Sequence, residues 1–426
     1  MSATSAFAQT ADAESPLSAI DWLQNTPQER PVTGSIEPSV AGAASAVQVD
    51  VSALPTTRLA RMGLIPAAPL GFDDDFWANV SATEFARALA DLPEAQLPSM
   101  ADLRHKMLLA DLPATDDIQA ARLQGLWDTG AVDAMWVLGK SVADQSERLM
   151  TLTRDAAIIT EHEQAFCSIW SDHRTLDPSP LTRSICLASL GDWNAAVMTY
   201  FAHDTFGDFS AADSALISGH LDPELADGAP APDLALSDMT ATRFFLMESV
   251  GHPVATGDLP LAYAAADLRK TGGWKPRIEA AERLTRAGSL TPNQLLGVYT
   301  EDVPAASGGI WDRARAVQNL RDSQDANEVT PEHLSHLWSV MTPAGLASAT
   351  AKKFAETLHE MDAIPSDNPD LIQLGLLAGF GDLQLANLDT DIRLRLWRSD
   401  VTLGTRLTRQ AIAAGLTVKV TPTAAT

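Results

Sequence analysis

GLWDTGAVDAMWVLGK, residues Gly125–Lys140, decides how the chain is read. An apolar run ends at a glycine turn, and a second amphipathic run carrying an aromatic follows it. Glycine adopts the left-handed conformation that ends a helix, and a polar residue after it caps the next one. The same order recurs in Leu187–Phe201 (LASLGDWNAAVMTYF), Leu268–Leu284 (LRKTGGWKPRIEAAERL) and Leu284–Tyr299 (LTRAGSLTPNQLLGVY). Each stretch is an αα-hairpin in outline, and several in one chain predict an all-α fold, an α-solenoid of stacked hairpins. The turns fall near 130, 191, 272 and 288. That spacing has no fixed period, so the superhelix is expected to be irregular.

Outward from these units, residues 59–400 read as helix after helix. Apolar residues recur at three- and four-residue spacings in segments such as Glu84–Leu92, Ile118–Trp127, Ala156–Trp170 and Pro343–Met361. The stretch Asp222–Pro232 (DPELADGAPAP) is too rich in proline and too poor in apolar residues to stay helical. It reads as a joint between two helical lobes, 59–221 and 233–400. Residues 401–426 continue a basic C-terminal segment, in which Leu416–Val420 (LTVKV) is the one short strand candidate.

Residues 1–58 are rich in Ser, Thr, Ala, Pro and Gly and read as a disordered tail. One island, residues 15–24 (SPLSAIDWLQ), interrupts it. On a short helix Leu17, Ile20 and Leu23 share a face with Trp22 beside them, and Ser15-Pro16 supplies a start signal. An apolar anchor inside a polar tail is the form of a helix-in-groove ligand, which makes Leu17, Ile20, Trp22 and Leu23 candidate protein-binding residues. The competing reading folds the island back onto the chain's own helices.

The 426 residues are 46% hydrophobic and carry a formal net charge of −25. Such a surface repels nucleic acid and anionic headgroups. Charge is uneven, however: Arg393, Arg395, Arg398, Arg406, Arg409 and Lys419 face the single acid Asp400 near the C-terminus. Packing against the chain's own acidic body is the simplest use of that basic stretch, and a neighbouring molecule is the other. The ten tryptophans are read mostly as filling between helices. No apolar run reaches the roughly 18 residues of a membrane helix. Ala6-Phe7-Ala8 resembles a leader-cleavage site but lacks a cationic and an apolar region before it. Cys167 and Cys186 flank a short loop on consecutive helices, where a disulfide is geometrically allowed and buried thiols are the commoner case. The expected setting is cytoplasmic, or periplasmic if a leader precedes this start.

Chemical motifs are weak. His333 and His336 share a helix face, but H-E-x-x-H is absent, and His162, Cys167 and His173 are spaced off one face. Asp73-Asp74-Asp75 lacks calcium-loop spacing and reads as an acidic helix start. Gly308-Gly309 reads as a turn before a helix near Trp311, not as a phosphate loop. Glu248-Ser249, within LMESVGHP, resembles the Glu-Ser pair of lytic transglycosylase domains, whose Gly-Leu-Met-Gln segment is missing here. No catalytic, metal or cofactor residue is assigned.

Glycine in the turn with alanines in the following helix resembles tetratricopeptide-like repeats, without their full signature. Glu279–Gln318 (EAAERLTRAGSLTPNQLLGVYTEDVPAASGGIWDRARAVQ), with Leu259–Lys275 before it and the SAIDWL island, resembles a group of uncharacterised Ala/Leu-rich bacterial helical proteins. Some of these carry an antifreeze-like label, which the absence of regular arrays argues against here. The resemblance implies a helical fold and no activity. The expected function is therefore a non-enzymatic scaffold or adaptor for protein partners, with the island as a tethered docking peptide. A periplasmic cell-wall-associated helical protein is the alternative, and a lytic-transglycosylase-like enzyme a distant third. Partner identity and oligomeric state are not encoded in any motif.

Overall fold

The computed structural model describes residues 61–70, 72, 81–91, 98–113, 115–177, 179–269, 272–360 and 368–378. The island residues Leu17, Ile20, Trp22 and Leu23, the Asp73–Asp75 triplet and the basic stretch Arg393–Lys419 lie outside them, as does the LTVKV segment.

The fold is all-α, with eighteen α-helices among the described residues. In chain order these begin with α1 (Ala82–Ala90), α2 (Pro98–Leu109), α3 (Asp116–Asp128), α4 (Val132–Gly139), α5 (Glu147–Ile159) and α6 (Glu163–Asp172). Next come α7 (Pro180–Ser189), α8 (Trp193–Phe206), α9 (Ala211–Leu221), α10 (Pro223–Ala226), α11 (Ala241–Ser249) and α12 (Ala264–Asp267). The last six are α13 (Trp274–Ala287), α14 (Pro292–Tyr299), α15 (Ile310–Asp325), α16 (Pro331–Met341), α17 (Ala347–His359) and α18 (Pro369–Ala378). Two two-residue strands, β1 (Arg61–Met62) and β2 (Leu112–Pro113), pair antiparallel beside α3.

The glycine grammar is visible in the backbone. Gly130 (φ 74°), Gly191 (φ 86°) and Gly288 (φ 83°) take the left-handed conformation just after α3, α7 and α13. Gly273 (φ 84°) instead precedes a helix, so the third unit turns one residue later than 272 and at a helix start. Capping follows the expected chemistry. Asp192 accepts from the Ala195 amide at the start of α8, and Thr291 with Gln294 forms a capping box ahead of Pro292 in α14. Gly308 and Gly309 are both left-handed and hand over to α15 at Ile310.

One apolar cluster runs from Ala67 to Ala266 and a second from Ile278 to Leu374, with Ala264, Ala280 and Leu284 forming a small cluster between. Leu216 and Leu221 before Asp222–Pro232 share the first cluster with Ala241 and Phe244 after it. The proline-rich stretch therefore lies within the span of one core, and the change of core falls near 264–284. Proline reports backbone that cannot stay helical, not where apolar contacts stop.

Consecutive helices pack together along much of the chain: α4 on α5, α5 on α6, α6 on α7, α7 on α8, α13 on α14, α15 on α16, and α17 on α18. Contacts beyond consecutive helices include α1 on α3, α3 on α5, α16 on α18 and α14 on α17, and two reach further along the chain. Helix α11 returns to α5, and α3 meets the 3-10 turn at Leu261–Tyr263.

Candidate functional site

The motifs singled out for chemistry resolve into structural roles. Glu248 closes α11 with its carboxylate held by Arg269 Nη2 at 2.9 and 3.1 Å, and the same guanidinium reaches Glu161 at 3.0 Å. Ser249 Oγ donates to the Leu246 carbonyl at 2.8 Å. His333 uses its ring nitrogen to accept from the Thr330 amide at the start of α16. His162 stacks on Trp136 with centroids 5.2 Å apart. Among the described residues no group of His, Cys, Asp and Glu gathers as a metal cage.

Cys167 and Cys186 are joined as a disulfide between α6 and α7, with Cα atoms 4.9 Å apart and both residues buried. The expectation of free thiols gives way here because α6 and α7 pack directly on each other, a proximity that composition does not encode. The cavity lined in part by Arg154, Phe166, Cys167, Thr182 and Cys186 has a volume of about 10 Å³. That is room for at most one water, so the space beside the disulfide holds no organic substrate.

Buried charge is also internally consumed. Glu282 accepts from Tyr299 Oη at 2.7 Å and from Arg313 at 2.7 and 2.8 Å. Burial and the neighbouring Glu282 carboxylate push the Tyr299 phenol above its ordinary value. Arg154 spans Asp155 at 2.9 Å and Asp177 at 2.7 Å. In α3, fully buried Arg122 donates to the carbonyls of Leu108, Ala110 and Met62, tying the end of α2 and β1 to the helix. Burial pulls its guanidinium down to about 10. These groups close the backbone and each other.

The outer side of α8 is different. Trp193 is 45% exposed, Met198 67%, Phe201 57% and Phe206 81%. Trp193 and Phe201, eight residues apart, lie on one side of the helix with Met198 beside Phe201, while Val197 between them packs against the first core. Tyr200 carries the strip inward, 5.2 Å from Phe201 and 6.2 Å from Phe209 by ring centroids. Helix α8 packs on α7 and α9 through its opposite side, where Ala196 is buried. Large apolar side chains left together on a helix face in this way mark a binding surface.

Along the chain, the formal charge on either side of α8 has one sign. Between Arg183 and Arg243 there is no Lys or Arg, while Asp192, Asp204, Asp208, Asp213, Asp222, Glu224, Asp227, Asp233 and Asp238 all fall there. Asp192, Asp204 and Asp208 are exposed at the two ends of α8. Asp208 lies 2.6 Å from His203 Nδ1, and Asp204 accepts from Ser214. Asp213 alone of the nine is buried, and it is clamped by Arg243 at 2.8 Å through both oxygens. An apolar strip with an anionic border fits a partner segment that is apolar and basic.

The sequence reads most tryptophans as core; Trp170 and Trp338 are buried, whereas Trp193 is exposed. The signal for the face was the 59-residue interval without Lys or Arg, which periodicity alone does not weigh. The four island residues and α8 are not brought together by anything among the described residues. No protein-family model, curated protein or solved structure matches the chain.

Proposed function

We propose that the chain is a non-catalytic helical scaffold, solenoid-like in its hairpin stacking, that binds a protein partner on the outer face of α8. The observation that carries this reading is the set of exposed apolar side chains Trp193, Met198, Phe201 and Phe206 on α8, inside an interval with no Lys or Arg. A partner presenting a basic amphipathic segment satisfies both features at once, because its apolar side covers the strip and its cations meet Asp192, Asp204 and Asp208. Nucleic acid is disfavoured by the same charge. Among the described residues no helix is long and apolar enough to cross a membrane.

The test compares proteins recovered from the source cell by the intact chain, by a Met198→Asp/Phe201→Asp variant, and by a variant with Leu17, Ile20, Trp22 and Leu23 all changed to Ala. A partner kept by the island variant and lost by the α8 variant supports the reading. Equal recovery by all three overturns it, as does turnover of a substrate that a point change abolishes without unfolding the chain.

The disulfide between Cys167 and Cys186 favours a working compartment that keeps it oxidised, such as a periplasm, over the cytoplasm. Thiol titration of native-source protein, denatured without reductant, decides this. No titratable thiol supports the oxidising setting, and two thiols return the protein to a reducing one.

A further inference from the structure

We infer that the α8 face is occupied by the chain's own basic segment, residues 393–409, of the same molecule. This inference rests on the reading of α8 as a docking face and names what sits on it before a partner arrives.

The argument is one of complementarity. Residues 393–409 read RLRLWRSDVTLGTRLTR, with Arg393, Arg395, Arg398, Arg406 and Arg409 against Asp400. Leu394, Leu396, Trp397, Leu403 and Leu407 are interleaved with those arginines. The described α8 surface offers the inverse: Trp193, Met198, Phe201 and Phe206 exposed, with Asp192, Asp204 and Asp208 beside them. Arginine is the cation suited to such a border, since its planar guanidinium pairs with carboxylates and stacks on aromatic faces. The other apolar anchor in the chain fails this comparison. The Leu17–Leu23 island is flanked by Asp12 and Glu14, contains Asp21 and has no basic residue, so an anionic border repels it.

Tethering favours the same molecule over a second copy. Helix α18 ends at Ala378, and the 14 residues 379–392 span up to roughly 50 Å when extended. For an α8 face within that reach, a tether holds its end at a local concentration on the order of millimolar. The segment is then a competitor that an external partner has to displace.

The experiment uses the full-length, oxidised chain with a benzophenone amino acid in place of Ser399, which neighbours the proposed anchors without being one. Isotopically light and heavy copies are mixed, irradiated and mapped. Adducts on residues 193–206 within one isotopic copy are expected. Asp204→Lys/Asp208→Lys should lower that yield about tenfold, and Arg395→Glu/Arg398→Glu in the same chain should restore it. Circular dichroism confirms that each variant is folded, and Phe201→Ser supplies a second, uncharged disruption of the face with the same expected loss. Adducts confined to other regions overturn the inference, and so do adducts that join light to heavy copies, which would make the contact intermolecular. If adducts avoid α8 while Met198→Asp/Phe201→Asp still loses an external partner, the docking reading stands and only self-occupancy falls. If neither is seen, both fall.

Discussion

At the scale of single residues, the chain buries charge only where it can be answered. Glu282 is 5% exposed and its two oxygens are taken by Tyr299 and Arg313. Removing the carboxylate strands a guanidinium and a phenol, so Glu282→Ala is expected to lower unfolding free energy by about 3 kcal/mol, read from the midpoint in urea. Asp213 gives a pH signature. Hydrogen bonds from Arg243, with Ser210 assisting, hold its carboxyl below the ordinary carboxylate range. Its folded value lies below its unfolded one, so its stabilisation is complete above the unfolded value and is lost as pH falls through the folded value. Asp213→Asn should therefore flatten part of the acid limb of the stability curve below about pH 4 and leave its shape near neutrality unchanged. Two glycines that look alike in sequence should behave differently. A Cβ on Gly130 would stand 2.5 Å from Leu284 Cδ2, whereas one on Gly191 meets nothing within 4 Å. Both carry positive φ, so Gly191→Ala should cost only the left-handed penalty of about 1–2 kcal/mol. Gly130→Ala should add a further ~1–3 kcal/mol for overpacking, measured by the same titration. That both positions are left-handed turns was legible from the pattern around them. That only one is crowded was not, because Leu284 is far away in the chain.

At the scale of elements, helix ends follow local rules and helix pairing does not. The capping box at Thr291 and Gln294 and the N-cap at Asp192 involve residues three apart, within reach of any sequence reading. The disulfide joins α6 to α7 across a sequence separation of 19. Closing a loop of that size restricts the unfolded chain, so Cys167→Ser with Cys186→Ser should cost about 3 kcal/mol under oxidising conditions and nothing further on adding reductant. The outward side of α8 belongs to this scale too. Its Trp193 and Phe201 satisfy helical periodicity as well as core residues do, and periodicity says which side they share but not what covers it.

At the scale of the whole described body, two apolar clusters meet at a narrow seam. Leu284 packs against Leu261 and the backbone of Gly130, and Ser289 donates to the Thr129 carbonyl nearby. Leu268 and Leu290 pack against both the small cluster and the second core. Leu284→Ala is expected to cost about 2–5 kcal/mol and to split urea unfolding into two steps, with the environment of Trp338 changing at a different midpoint from that of Trp170. Coincident transitions at both tryptophans would show that the seam does not carry the coupling.

The sequence by itself determined that the chain is helical, where its glycine turns lie, and that its surface is acidic with a basic stretch near one end. Those properties are local or additive: capping acts over three or four residues, and net charge is a sum. Only the tertiary structure decided that Cys167 meets Cys186, that Glu248 is neutralised by Arg269, and that one core spans Asp222–Pro232. It also decided that Trp193, Met198 and Phe201 are left exposed by the other described residues. Each of these depends on which distant segment arrives at a given face, and burial is a property of the assembled packing rather than of any window along the chain.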